Sequence, residues 1–124
     1  MVENIKFFQG DLYQPIFNHK IKDIDLIVSN PPYCKSADIV KLPPQINLYT
    51  PLIAVDGGAD GLYFHKLIIE QSKKYLIKDG ILILENETGQ SEILKELLVK
   101  AGYEVVKVYE NMKNEERVIV AKNI

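Results

Sequence analysis

Apolar positions along the chain alternate between short continuous runs and longer stretches with helical spacing. Ile5–Gln9 (IKFFQ) is a short apolar run ending at Gly10-Asp11, and it predicts a strand. Ile24–Ser29 (IDLIVS) is almost continuously apolar, as expected of a strand buried on both faces. Residues 34–55 carry three prolines and little periodicity, and read as an ordered loop or lid. From Leu62 to about Ile77, Leu62, Phe64, Leu67, Ile68, Tyr75 and Leu76 recur at helical spacing, with Gly61 ahead and Asp79-Gly80 as the stop. Ile81–Leu84 (ILIL) predicts another apolar strand, ending at Glu85. Ile93, Leu94, Leu97, Leu98 and Ala101 mark one face of a second helix that stops at Gly102, with Glu96 and Lys100 as an exposed pair four residues apart. Tyr103–Tyr109 and Arg117–Ala121 read as strands, and the polar loop Glu110–Glu116 is short enough to join them as an antiparallel pair.

This alternation predicts an α/β sandwich with a mainly parallel sheet and an antiparallel edge strand, in one domain covering residues 1–124. Ligands of such sheets bind beyond the carboxyl ends of the strands. The segments to read for chemistry are therefore Gly10-Asp11, Asn30-Pro31-Pro32-Tyr33 and Glu85-Asn86-Glu87.

Composition narrows the classes of function. The 124 residues are 47% hydrophobic and 26% charged, ordinary for a globular chain. No apolar run approaches the ~18 residues of a membrane span, and MVENIKFFQGD has no signal-peptide pattern. Cys34 is the only cysteine, so no internal disulfide can form, which fits a reducing cytoplasm. A net charge of −2 with one arginine, Arg117, argues against nucleic acid as the partner, because such binding rests on neutralising phosphates.

The stretch Asn30-Pro31-Pro32-Tyr33 has a chemistry of its own. Proline has no backbone N–H, fixes φ, and pushes the residue before it into extended geometry. The bend therefore exposes carbonyl acceptors with two donors deleted, and the Asn30 side chain adds another acceptor. Clustered acceptors suit a substrate presenting an NH₂ group, either a carboxamide or the exocyclic amine of a base. Tyr33 offers a flat face for stacking. The plainer alternative is a proline-rich turn after a strand.

At this point the chain resembles a known family. A strand followed by Asn-Pro-Pro-Tyr resembles the motif of class I S-adenosylmethionine-dependent amino-methyltransferases. The wider pattern resembles the HemK family, the release-factor glutamine methyltransferases. Its matching pieces are Gly10-Asp11-Leu12, Val28–Tyr33, Tyr49–Leu62 (YTPLIAVDGGADGL), Gly80–Glu92 (GILILENETGQSE) and Arg117–Lys122. The resemblance implies that Asn30 and the Pro31 carbonyl bind the target amide, with Pro32 and Tyr33 completing the substrate slot. It implies Asp11, Leu12 and Asn30 as cofactor-binding residues, S-adenosylmethionine as methyl donor, and a peptide-chain release factor as protein substrate. It implies no metal.

The departures carry expectations too. Glu85-Asn86-Glu87-Thr88 stands where the family has Glu-Ile-Gly. The family's glycine-rich cofactor loop, the ribose-binding acid after its second strand, and its N-terminal helical domain have no counterpart ahead of Ile5. The chain is thus expected to correspond to the C-terminal part of such an enzyme, without the first two strands, and a complementing N-terminal half is a candidate partner. Without those strands, Ile5–Gln9 should be detached or docked against Ile24–Ser29. The sheet should consist of Ile24–Ser29, Ile81–Leu84, Tyr103–Tyr109 and Arg117–Ala121, with a bare edge prone to association.

Other readings stay open. In a circularly permuted enzyme, Val55–Gly61 would be the cofactor loop after a strand LIAV, and Glu85 the ribose acid. A nucleic-acid adenine methyltransferase and a non-catalytic remnant are further alternatives. Asp11 fits a simple turn as well as a cofactor site. His19 and His65 have no ligand partners at metal spacing and read as surface or helix-face residues. Cys34 reads as a small apolar filler.

Overall fold

The computed structural model describes residues 3–124. The elements in chain order are α1 (Gln14–Asn18), β1 (Ile24–Ser29), α2 (Pro44–Tyr49), α3 (Tyr63–Ser72), β2 (Leu76–Glu85), α4 (Ser91–Lys100), β3 (Tyr103–Glu110) and β4 (Glu116–Asn123). The four strands form one mixed sheet in the order β1-β2-β4-β3. β1 and β2 pair in parallel, while β4 runs antiparallel to both β2 and β3. The sheet is thus mixed rather than mainly parallel: two of its three pairings are antiparallel, and the reversed strand is β4, which lies between β2 and β3 and not at an edge, while the four strands are those that the apolar runs predict.

α3 and α4 pack on one face of the sheet, where Leu82 and Leu84 of β2 and Ile119 and Ala121 of β4 meet Ile68, Ile69, Leu94 and Leu98. Tyr103 at the start of β3 is buried with them. The other face is not covered among the described residues. Leu26 is 51% and Val28 65% exposed, and Ile24 and Ile27 are half-buried, so β1 is not buried on both faces. Its second apolar face has no element to pack against.

Ile5–Gln9 forms no strand. Phe7 is 91% exposed, and the segment lies outside the sheet, detached from the β1 edge. A five-residue apolar run gains strand geometry only by pairing, and no ladder receives it.

The first long helix is shorter than its apolar spacing predicts. It stops at Ser72, because Tyr75 and Leu76 are drawn into the sheet: the Ile24 amide donates to the Tyr75 carbonyl at 2.8 Å, and Leu76 pairs with Ile24. Asp79-Gly80 is then a kink within β2 rather than a helix stop. The register jumps from Ile24–Leu76 to Leu26–Ile81, and Asp79 takes a left-handed φ of 65°. The side-chain amide of Asn123, in β4, donates to the Ile77 carbonyl at 3.0 Å and the Leu76 carbonyl at 3.3 Å, satisfying groups that the bulge would otherwise orphan.

Residues 34–55 are ordered as expected, and more helical than their composition indicates. They hold two 3-10 turns, Ser36–Lys41 and Leu52–Ala54, with α2 between them. Pro44 opens α2, where its fixed φ suits the first helical turn and its missing N–H costs nothing.

Candidate active site

β1 ends at Ser29, and the chain leaves the sheet through Asn30. Asn30 is exposed, and among the described residues its side chain has no hydrogen-bond partner. Pro31 is buried, and Pro32 and Tyr33 are half-buried. A cavity of about 290 Å³ opens here, lined by Asn30, Pro31, Tyr33, Glu87 and, from the lid segment, Leu42 and Ile46. It sits at the carboxyl end of the strands, where α/β sheets hold ligands, and its size suits a side chain.

The bend is held from behind by the segment Asp56–Gly61. The Cys34 amide donates to the Val55 carbonyl at 3.0 Å, and the Gly57 amide returns to the Cys34 carbonyl at 2.7 Å. The Ser36 amide donates to the Gly58 carbonyl at 2.9 Å. Cys34 and Asp56 thereby make an isolated parallel bridge. The Asp56 carboxylate accepts from the Ser36 hydroxyl at 2.6 Å and from the Gly58 amide at 3.0 Å, and these bonds lower its pKa. Contact is so close that a Cβ on Gly57 would stand 2.8 Å from Tyr33 Cα and 2.9 Å from the Pro32 carbonyl oxygen. The paired glycines are thus used in backing the tetrapeptide. Leu52–Ala54 is a 3-10 turn and not a strand, so the permuted reading has neither its strand nor its free glycine loop.

Tyr33 is anchored by residues distant in sequence. Its hydroxyl donates to Glu85 Oε1 at 3.1 Å and accepts from Arg117 Nη2 at 2.8 Å. Burial raises the phenol pKa, Arg117 lowers it, and the Glu85 charge raises it again. Gln90 Nε2 donates to the Tyr33 carbonyl at 3.1 Å. The same nitrogen lies 3.4 Å from the Gly61 carbonyl oxygen. One side chain therefore joins the tetrapeptide to its backing segment.

His65 lies beneath this cluster. It is fully buried, not a surface residue, because α3 turns it toward the end of β2. Its Nε2 is 2.8 Å from the Glu85 carbonyl oxygen, which requires that nitrogen to carry the proton, and Nδ1 has no partner among the described residues. Burial lowers its pKa, against the hydrogen bond to the Glu85 carbonyl, which raises it. Cys34 is buried, and burial raises its pKa, which agrees with a filler role and not a nucleophile. His19 is exposed and bonds the Pro15 carbonyl.

Asp11 and Leu12 sit elsewhere. Asp11 is exposed, and its carbonyl accepts from the Gln14 amide at the start of α1, as in a simple turn. Leu12 packs on the core cluster beside Tyr13, whose ring stacks on Tyr75 at 5.1 Å. Neither lines the cavity at Asn30. Asp11 and Leu12 thus share no cavity with Asn30 at the tetrapeptide. Glu87, the departure noted in the sequence, does line the cavity.

An α/β sandwich whose strand ends in Asn-Pro-Pro-Tyr beside a side-chain-sized cavity resembles the amino-methyltransferases in class. Sequence comparison gives the particular relatives. The chain is 38% identical over 119 residues to the release factor glutamine methyltransferase of Thermodesulfovibrio yellowstonii, a match covering 96% of this chain and 42% of that protein. It is 38% identical over 99 residues to the enzyme of that name from Geobacter sulfurreducens, covering 80% of this chain and 34% of the relative. The Bacillus subtilis protein of that name is 34% identical over 120 residues, covering 95% of this chain and 41% of the relative. The chain is homologous to part of the release factor glutamine methyltransferases, and it spans less than half the length of these curated relatives. No family model matches it. No helix among the described residues is long and apolar enough to cross a membrane.

Proposed function

We propose that this chain forms the glutamine-binding part of a release factor glutamine methyltransferase, with S-adenosylmethionine as methyl donor and the cytoplasm as its place of work. Residues 1–124 act as one domain of that enzyme, and a complementing N-terminal part supplies the remainder of the donor site. The observation that supports this most is the cavity at the end of β1, which Asn30, Pro31 and Tyr33 line together.

An amide nitrogen is a poor nucleophile because its lone pair is delocalised. The donor supplies an electrophilic methyl group, and what this chain contributes is placement. Asn30 and the Pro31 carbonyl each accept one N–H of the glutamine amide, which turns the nitrogen toward the methyl group. The same acceptors stabilise positive charge as it develops on that nitrogen. Tyr33 stacks on the planar amide. Leu42 and Ile46 exclude water from the slot. As the N–CH₃ bond forms, the methyl group would leave the donor's sulfonium, which becomes a neutral thioether, and the surplus proton of the nitrogen is lost to solvent; positioning and fixed dipoles, not a titrating base, carry the effect.

The test is complementation. The chain is mixed with the part of the Thermodesulfovibrio relative that its match leaves uncovered, together with a release factor and labelled donor. One methyl group is expected on the glutamine of the Gly-Gly-Gln loop, and none when that glutamine is replaced. Methylation of duplex DNA with the release factor untouched contradicts the proposal and favours an adenine methyltransferase.

A further inference from the structure

We infer that Arg117 is a positioning residue for the slot, acting through the hydroxyl of Tyr33. The inference rests on the reading of Asn30–Tyr33 as an amide slot and deepens it.

A tyrosine after two prolines is fixed in its backbone but free in its side chain, and a ring that swings cannot be a wall. Here the ring is held at its far end. Arg117 belongs to β4, 84 residues along the chain, and reaches Tyr33 across the end of β2. Its own geometry is fixed first. The Asn86 amide donates to the Arg117 carbonyl at 2.8 Å, and Arg117 Nε donates back to the Asn86 carbonyl at 2.8 Å. This reciprocal pair leaves Nη2 aimed at the Tyr33 oxygen. The phenol proton then points to Glu85, whose carboxylate is 3.8 Å from the guanidinium. Arg117 donates to the phenol oxygen and the phenol donates to the Glu85 carboxylate, so cation, phenol and carboxylate form one chain.

The arrangement needs arginine. A lysine is a single point charge and cannot bond the Asn86 carbonyl and the Tyr33 hydroxyl in one plane. It also needs a tyrosine, since phenylalanine would stack on an amide equally well yet leave Nη2 and Glu85 without their partner. The hydroxyl is therefore part of the site, although the stacking role of the ring does not call for it.

The experiment uses the full chain with ring-carbon-labelled tyrosine, so that Tyr33 can be titrated and its ring signals followed by NMR. A Gly-Gly-Gln peptide is the binding probe. Arg117→Met should raise the Tyr33 pKa, because a nearby positive charge is lost, and should shift its ring signals. Peptide affinity should fall about tenfold, the loss typical of a hydrogen bond to a charged group. Tyr33→Phe should produce a similar loss, the double variant should lose no more than either single one, and Arg117→Lys should not restore affinity. An Arg117→Met chain whose Tyr33 titration and ring signals match the wild type overturns the inference, as do losses that add in the double variant. If the unaltered chain does not bind the peptide, the slot reading fails, while the Tyr33 titration still decides whether Arg117 governs the ring.

Discussion

Asn30→Ala is expected to lower methyl transfer by on the order of 10²-fold or more in the complemented enzyme, with donor affinity changed far less. Asn30 is exposed at the end of β1 and its side chain has no hydrogen-bond partner among the described residues, so little of the fold depends on it. Its loss removes one of two acceptors that orient the amide. The second acceptor, the Pro31 carbonyl, then holds the group at one point, and the nitrogen rotates away from the methyl group. A displacement of about 1 Å at the reacting atom already costs roughly 10²-fold. Single-turnover rates with saturating donor measure the effect. An Asn30→Ala enzyme with near-normal turnover removes Asn30 from its assigned role.

Gly57→Ala should damage the site through its backing, without touching the substrate. The added methyl would stand 2.6 Å from the Gly61 carbonyl oxygen, 2.8 Å from Tyr33 Cα and 2.9 Å from the Pro32 carbonyl oxygen. All three are backbone atoms, so no flexible side chain can yield. Either the Asp56–Gly61 segment or the tetrapeptide must move. Overpacking of this kind costs about 1–3 kcal/mol, and thermal or denaturant unfolding reads that loss. Peptide affinity should fall as well, because the Cys34–Gly57 hydrogen bond of 2.7 Å cannot survive the shift. Unchanged stability and affinity in Gly57→Ala would mean that the segment does not buttress the slot.

The parts of the fold legible in the sequence are those set by local pattern. The runs IDLIVS and ILIL, the periodicity of Ile93–Ala101, and the short polar loop before Arg117 each predict an element that is present. Tertiary competition is not local, and it accounts for the differences. Leu76 fits the helical spacing, yet its pairing with Ile24 places it in β2. Ile5–Gln9 has strand composition, but no strand edge receives it. The Asn30–Tyr33 bend was legible because two prolines constrain backbone geometry by themselves. Its supports were not. Arg117 comes from β4, Glu85 from β2, His65 from α3 and Gln90 from the turn between β2 and α4, and their roles depend on long-range contacts. The available signals were weak ones: Glu85 closes an apolar strand at its carboxyl end, and Arg117 is the lone arginine in the sequence.

The central claim is that Asn30 and Pro31 accept the two N–H groups of a primary amide. The most direct measurement compares two peptides on the chain by NMR, one containing Gly-Gly-Gln and one Gly-Gly-Glu. A carboxylate has the same shape but donates no hydrogen bonds at neutral pH and would face the acceptors and Glu87 with like polarity. The account predicts saturable shifts at Asn30 and Tyr33 with the glutamine peptide and none with the glutamate peptide. Equal shifts with both peptides, or shifts confined to residues away from Asn30–Tyr33, would contradict it.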